Sequence, residues 1–422
     1  MPGTISRRKL LRTGGQAIVA GGAAVCAGSA LPAVASARPT VKGVDYYQKL
    51  GVTPFINAAG TYTTLSASTM PDEVQAAVAL AALHPVSLNE LQEAAGQYLA
   101  KKLRCEAALI TAGAAAALTV GTAACVTAGA DRAILSIPTD MNELKNEVIV
   151  QKSHRYDYDH AVRNCGVRFV EVETLDQYDQ AFNERTVMTH FFNAGEEHIS
   201  RGDWVRVAHK HGVPCFNDAA ADVPPISNLW NYTQMGFDLV TFSGGKGLRG
   251  PQCTGLLLGR KDLIDAARKN NSPNSNTVGR GQKVAKEEIV GLVAAVDWFL
   301  AQDDAAMEAE YRQRAERIAG QVKGIPTVQS QVFIPPVANH VPHLVVTYDQ
   351  NRVKIAAKEV MEKMRQGTPR IELNPGTGGP PASAGLPGGS NTIVVGVWMM
   401  QPGEDMVVGK RLREVLQGAV SS

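Results

Sequence analysis

Paired cysteines are missing from this sequence. Its six cysteines, Cys26, Cys105, Cys125, Cys165, Cys215 and Cys253, stand far apart in apolar surroundings. That spacing offers neither a disulfide framework nor a zinc-ligand pattern, so no metal site is expected. An excess of one sign of charge is missing too: 42 Lys and Arg face 40 Asp and Glu. Four of the basic residues, Arg7, Arg8, Lys9 and Arg12, lie in an acid-free leader, which leaves 38 basic against 40 acidic residues beyond position 37, net −2. A net-acidic chain carries no electrostatic footprint for nucleic acid or an anionic membrane. No run is long and apolar enough for a spanning helix; residues 17–30 are diluted by glycine and serine. Internal repeats are absent.

The leader has its own pattern. "SRRKLLR", Ser6 to Arg12, is a twin-arginine motif, followed by a mildly apolar stretch and "AVASA", with Ala35 and Ala37 in A-x-A spacing. Residues 1–37 therefore read as a twin-arginine signal peptide cleaved near Ala37, and the chain as a soluble exported protein, periplasmic or extracellular, without stable membrane insertion. Cys26 could mark a lipoprotein, but Val25 before it fits poorly. The twin-arginine route moves folded proteins, often with a cofactor installed.

The 385 residues after the leader exceed one ordinary domain. Apolar runs at 107–111, 133–137, 147–151, 168–173, 187–192, 213–217, 239–242 and 254–258 read as short buried strands. Helical periodicity lies between them at 71–83, 87–103, 114–126, 158–165 and 200–210. This alternation predicts an α/β fold with a mostly parallel sheet. A helix pair spans 284–322. Beyond it come strands near 328–334, 343–347 and 392–397 and helices near 353–365 and 406–416. The expected organisation is an N-terminal arm (38–70), a large α/β domain (71–290) and a small C-terminal domain (291–422). Residues 374–391, "NPGTGGPPASAGLPGGSN", read as loop.

One stretch poses a chemical question. In "VTFSGGKGLRGPQCTGLLLG", Val240 to Gly259, Lys246 stands among glycines between two apolar runs. A solvated hairpin lysine is one reading. A phosphate-binding P-loop is not, because it needs glycine six residues earlier and Ser or Thr next, where Val240 and Gly247 stand. The remaining role is a Schiff base with the aldehyde of pyridoxal 5'-phosphate. That cofactor also needs a carboxylate for its ring nitrogen, an anion site and a flat group over the ring.

Asp218, in "VPCFNDAAADVPP", follows a strand and reaches the carboxyl end where open α/β sheets bind ligands; it could equally be a helix cap. Asp222 reads as a solvated loop or cap residue. "TAGAAAALTVG" brings Gly113, Ala114 and Ala115 to a helix start whose free N–H groups could hold a phosphate, or whose small residues merely pack tightly. Ser243 could add a hydrogen bond or cap the turn. His154, in "VIVQKSHRYDYDHA", is the stacking candidate, although a lone histidine is commonly structural.

The ordered set "INAAGTYTTL", "LQEAAGQYLAKKL", "TAGAAAAL", "KNEVIVQKSHRYDYDHA", "GVPCFNDAAADVPP", "FSGGKGLRGPQ", "GRGQKVAKEEIVGLVAAV" and "PGEDMVVGKRLREVL" resembles the pyridoxal-phosphate enzymes related to selenocysteine synthase, in particular the D-glucosaminate-6-phosphate ammonia-lyase branch, over roughly residues 44–418. The resemblance implies a fold-type I transferase-like architecture and a dimer or larger homo-oligomer with sites at the subunit interface. Lys246 then matches the Schiff-base lysine, Asp218 the ring-nitrogen carboxylate and Gly113–Ala116 the phosphate turn. Arg280 and Lys283 match a basic pair near the cofactor or a partner's cofactor, and Arg370 is a candidate for the substrate carboxylate.

Two departures bear on the substrate: family members are usually cytoplasmic, and the 374–391 loop is longer and richer in Gly and Pro. The implied reaction is a lyase removing a β-substituent and ammonia from an amino acid or amino sugar acid. A transferase or racemase using the same carbanion, and an inactive exported cofactor-binding protein, are the alternatives.

Overall fold

The computed structural model describes residues 43–193, 197–381 and 385–421; the expected signal peptide lies outside the described residues. The described residues belong to one compact unit. Twelve strands are described: β1 (Phe55–Ala58), β2 (Ala107–Thr111), β3 (Glu147–Gln151), β4 (Arg168–Val172), β5 (Thr186–Phe192), β6 (Cys215–Asp218), β7 (Leu239–Ser243), β8 (Gly255–Gly259), β9 (Gln329–Phe333), β10 (His343–Thr347), β11 (Arg370–Leu373) and β12 (Thr392–Gly396).

Seven of them form the central sheet in the order β2-β8-β7-β6-β5-β3-β4. β3 to β7 run parallel, and β8 runs antiparallel between β2 and β7. The buried strands are near-continuous apolar runs, as a sheet covered on both faces requires. One core cluster contains Leu99, Ile149, Phe191, Trp204, Phe242 and Leu292; another contains Leu118, Val148, Phe216, Leu257 and Ile264. The helix Ala114–Thr127 lies almost wholly buried, and its small residues allow close approach: a Cβ on Gly121 would stand 2.5 Å from the Phe216 ring.

The third large core joins β9, β10 and β12, an antiparallel sheet, to the helices Asp304–Val322, Ala357–Gln366 and Glu404–Gln417. β1 belongs there too, pairing in parallel with β11. The helix Lys286–Leu300 instead puts Ile289, Leu292, Val296 and Phe299 into the core of the central sheet. Residues 133–137, expected as a strand, are not one: the helix Asp131–Ser136 takes 133–136, with Asp131 in its first turn and Ile137 as its extended C-cap.

At the end of the sheet opposite the carboxyl edge, His209, Cys215 and Asp238 come within ligand distance of one another, a grouping that sequence spacing did not show. Hydrogen bonding accounts for it. Asp238 Oδ2 accepts the Cys215 N–H at 2.8 Å and lies 3.0 Å from His209 Nε2, while Oδ1 accepts from Arg260 at 3.1 Å. The carboxylate ties the starts of β6 and β7 together. All five described cysteines are free thiols. No described helix is long and apolar enough to cross a membrane.

Candidate active site

The carboxyl ends of β2, β5, β6 and β7 meet at a cavity of 480 Å³. Lys246 and Asp218 both line it. Asp218 is the last residue of β6, and Lys246 stands in the turn that leads from β7 into β8. None of Gly244, Gly245, Gly247 and Gly250 in that turn has positive φ; Arg249 does, at 56°. The glycines serve protein packing rather than room for a ligand. A Cβ on Gly245 would stand 2.6 Å from Gln252 Cα, and one on Gly247 would stand 2.8 Å from the Val223 carbonyl carbon, closer still to its oxygen. Arg249 then anchors the turn, donating to the Thr69 carbonyl at 2.9 Å.

Asp218 is 4 % exposed, and both its oxygens are occupied. Oδ1 accepts the Ala220 N–H at 3.0 Å and Oδ2 accepts the Tyr156 hydroxyl. Burial raises its pKa above the usual carboxylate value, against the opposing pull of Tyr156, the Ala220 N–H and the Lys246 charge. Burial likewise lowers the Lys246 pKa, with Asp218 and Asp222 opposing. Neither group is ion-paired among the described residues. An amine pushed toward neutrality is a nucleophile in waiting.

The turn before the helix Ala114–Thr127 also lines the cavity, through Gly113, Ala114 and Ala115. Gly113 has φ 95°, offers no capping side chain, and has nothing within 4 Å of where its Cβ would stand. Gly255 opposite lets β8 pass: a Cβ there would reach the Ala114 nitrogen at 2.6 Å. The first N–H groups of a helix lack intrahelical partners, so this is an open anion site. Ser243, the last residue of β7, lines the same space.

His154 does not. The chain leaves β3 through the 3-10 turn Lys152–His154, which buries the imidazole edge-on against Phe191 at 4.5 Å. Its Nδ1 accepts the Phe192 N–H at 3.1 Å. The aromatics at the cavity are Tyr156, two residues on and stacked on Phe192 at 3.9 Å, together with Phe192 itself and Tyr158. Arg370 is also elsewhere: on β11 it donates to Glu372 at 2.8 Å and covers the Phe55 ring. Arg280 and Lys283 are not among the lining residues and make no side-chain hydrogen bond or ion pair among the described residues.

Asp222, expected to be solvated, is 4 % exposed and lines the cavity. Asn193 Nδ2 donates to its Oδ2 at 2.8 Å, and Arg201 donates to Asn193 Oδ1 at 3.1 Å. Burial raises the Asp222 pKa to about 6, with the Asp218 charge adding and Asn193, Arg201 and Lys246 opposing. Thr63, Gln252 and Asn339 also line the cavity, with Tyr158 and Cys253, and carry no sequence signal that points to it. They lie on turns far apart in the chain, where no periodicity marks which side chain points inward.

The residues present fit pyridoxal phosphate. A buried carboxylate and a half-buried amine, neither ion-paired among the described residues, and an uncapped helix start face one cavity. Such groups are costly to bury unless a ligand completes them.

The chain matches the SelA family, L-seryl-tRNA selenium transferase, over residues 55–332. It is 30% identical over 342 residues to the 5'-C-glycyluridine monooxygenase-decarboxylase of Streptomyces sp, covering 78% of this chain and 83% of that one. It is 31% identical over 286 residues to the D-glucosaminate-6-phosphate ammonia lyase of Salmonella typhimurium, covering 65% of this chain and 75% of the relative. A solved structure of D-glucosaminate-6-phosphate ammonia-lyase superposes with TM-score 0.74 at 26% identity, over 89% of this chain and 99% of that one. The architecture is that of the fold-type I pyridoxal-phosphate enzymes.

Proposed function

The chain belongs to the SelA family, and from that premise we propose that it is a pyridoxal-phosphate-dependent lyase that removes a β-substituent and ammonia from an amino acid or amino sugar acid. The observation that carries the reading is the meeting of Asp218, Lys246 and the Gly113–Ala115 turn in one cavity. The ammonia-lyase relative and the ammonia-lyase structure support the reaction class.

Bound there, the cofactor supplies an electron sink for a substrate carbanion. Lys246 would hold its aldehyde, and its amine, facing the same cavity, is placed to remove the substrate α-proton as general base. Asp218 would face its ring nitrogen, with Tyr156 and the Ala220 N–H fixing the carboxylate. The N–H groups at Ala114 and Ala115 would take its phosphate. Burial in the cavity wall lowers the pKa of the amine and so favours its unprotonated form.

A second reading has its own support, since the monooxygenase-decarboxylase covers more of the chain than the ammonia lyase does. A reaction of that relative's kind would consume oxygen and release carbon dioxide. Borohydride reduction with peptide mapping tests the cofactor assignment: label is expected on Lys246, and label elsewhere refutes it. Product analysis with an oxygen electrode separates the reactions, ammonia and a keto acid without oxygen uptake being the expected result.

Export through the twin-arginine route to the periplasm or beyond rests on the Ser6–Arg12 motif and the A-x-A site. A homodimer or larger assembly follows the same reading, Arg280 and Lys283 being the basic pair offered to a partner's site. Fractionation of the native host and light scattering of the purified protein test these two points.

A further inference from the structure

Elimination of a hydroxyl needs an acid as well as a base, because hydroxide leaves poorly unless protonated. The titratable residues lining the cavity are Tyr156, Tyr158, Asp218, Asp222, Lys246 and Cys253. Lys246 is spent on the α-proton. Asp218 has both oxygens committed to Ala220 and Tyr156. Tyr156 gives its only proton to Asp218, and burial holds its pKa well above the usual phenol value. Cys253 is turned toward Glu288 at 3.5 Å, and burial raises its thiol pKa. Tyr158 is 52 % exposed at the mouth.

Asp222 is different. It is buried, lines the cavity, and holds one oxygen against Asn193 while Oδ1 has no protein partner among the described residues. The Arg201–Asn193 relay and the Asn228 donation to the Asp222 carbonyl at 2.7 Å fix its position. Resting on the lyase reading, we propose that Asp222 is the general acid that protonates a departing β-hydroxyl, which makes the substrate class β-hydroxy amino acids.

The step balances. Lys246 takes the α-proton and becomes ammonium, and the C–H electrons form the Cα–Cβ double bond. The Cβ–O bond breaks with its electron pair on oxygen, oxygen takes the Asp222 proton, and water leaves. Transfer of one proton from the Lys246 ammonium to the Asp222 carboxylate restores both groups.

The charged and titratable groups facing Asp222 are Asp218 on β6, Lys246 on the following turn, Arg201 from the helix Arg201–Lys210, and Tyr232 from the helix Asn228–Met235. The acid works protonated, so turnover of a hydroxy substrate falls as pH rises through the Asp222 pKa. Asn193→Ala removes a hydrogen bond that lowers that pKa and shifts the limb to higher pH.

The test compares serine with β-chloroalanine, each in both configurations, because chloride leaves without a proton. Holoenzyme and Asp222→Asn are assayed for pyruvate release and for exchange of the α-proton with solvent deuterium. The expected result is a fall of about 10²- to 10⁴-fold in the serine-to-chloroalanine rate ratio in Asp222→Asn, the range for a positioned acid, with α-proton exchange continuing. An unchanged ratio overturns the assignment even if both rates fall, since a merely structural residue affects both substrates alike. Unchanged pH limbs in Asn193→Ala overturn it as well. Wild-type protein that releases pyruvate from neither substrate overturns the β-hydroxy amino acid assignment, whereas the lyase reading, which includes amino sugar acids, falls only if those yield no ammonia and keto acid either.

Discussion

Replacing Gly245 with alanine would place a methyl group 2.6 Å from Gln252 Cα and 2.9 Å from the Gln252 carbonyl oxygen. Carbon atoms rest at about 3.5–4.0 Å, so the two backbone segments must part by about 1 Å. Both neighbours are main chain, and neither can swing aside as a flexible side chain would. Overpacking of this kind costs about 1–3 kcal/mol. It also moves the turn that carries Lys246, and a misplacement of about 1 Å costs about 10²-fold in rate. Urea unfolding of the cofactor-free protein should show a lower midpoint at unchanged slope, with turnover of the reconstituted enzyme down by about two orders of magnitude. Gly281, whose surroundings are open to 4 Å, provides the control substitution and should be near neutral. If Gly245 instead made room for a ligand, alanine would weaken cofactor binding and leave the cofactor-free protein as stable as before. That outcome would refute the packing argument.

Tyr156→Phe removes a hydrogen bond that lowers the Asp218 pKa, so turnover should fall by about 10- to 100-fold, the worth of a hydrogen bond to a charged group, with the loss greatest at low pH; a flat pH response counts against it. Arg370→Ala should leave the substrate KM unaltered and cost less than about 1 kcal/mol, since a partly exposed pair is weak and Glu372 keeps Arg365 at 3.0 Å; a tenfold rise in KM would restore it as the carboxylate site. His190 and His343 have pKa values lowered by burial from 6.5 to about 4. Their contribution to stability is present above pH 6.5 and lost as pH falls through 4, about 3 kcal/mol each. Asp222, raised by burial from 3.8 to about 6, works in the opposite sense, its contribution being lost as pH rises through 6. Stability followed by urea unfolding should therefore fall from pH 6.5 to 4, and more steeply in Asp222→Asn.

The parts of the fold that could be read from sequence are those whose burial leaves a one-dimensional trace. β3 and β8 are buried on both faces, and each is a continuous apolar run bounded by polar or glycine residues. β1 and β11 leave no such trace. "FINA" and "RIEL" are four residues each, partly polar, and become strands only by pairing across more than 300 residues of chain. The misread at 133–137 has the complementary cause: a short apolar run suits a buried strand and a buried helix turn equally, and Asp131 in the first turn decides for the helix.

The same division runs through the site. Asp218 ends a strand and Lys246 follows one closely, so the end of an apolar run announces where each side chain must emerge. Tyr156, Asp222 and Asn339 are set by turns, where a displacement of two residues decides between core and cavity. His154 and Tyr156 differ by only that much, and the 3-10 turn at Lys152–His154 sends the histidine against Phe191 and the tyrosine to Asp218. Burial of Asp222 depends on Asn193 and Arg201, which no local pattern links to it. The strand-borne residues carry the cofactor chemistry, common to a lyase, a transferase or a racemase. The turn-borne residues Asp222, Asn339 and Thr63 line the same cavity without a one-dimensional trace, so the cofactor chemistry is readable from the strand ends while the choice among those reactions is not.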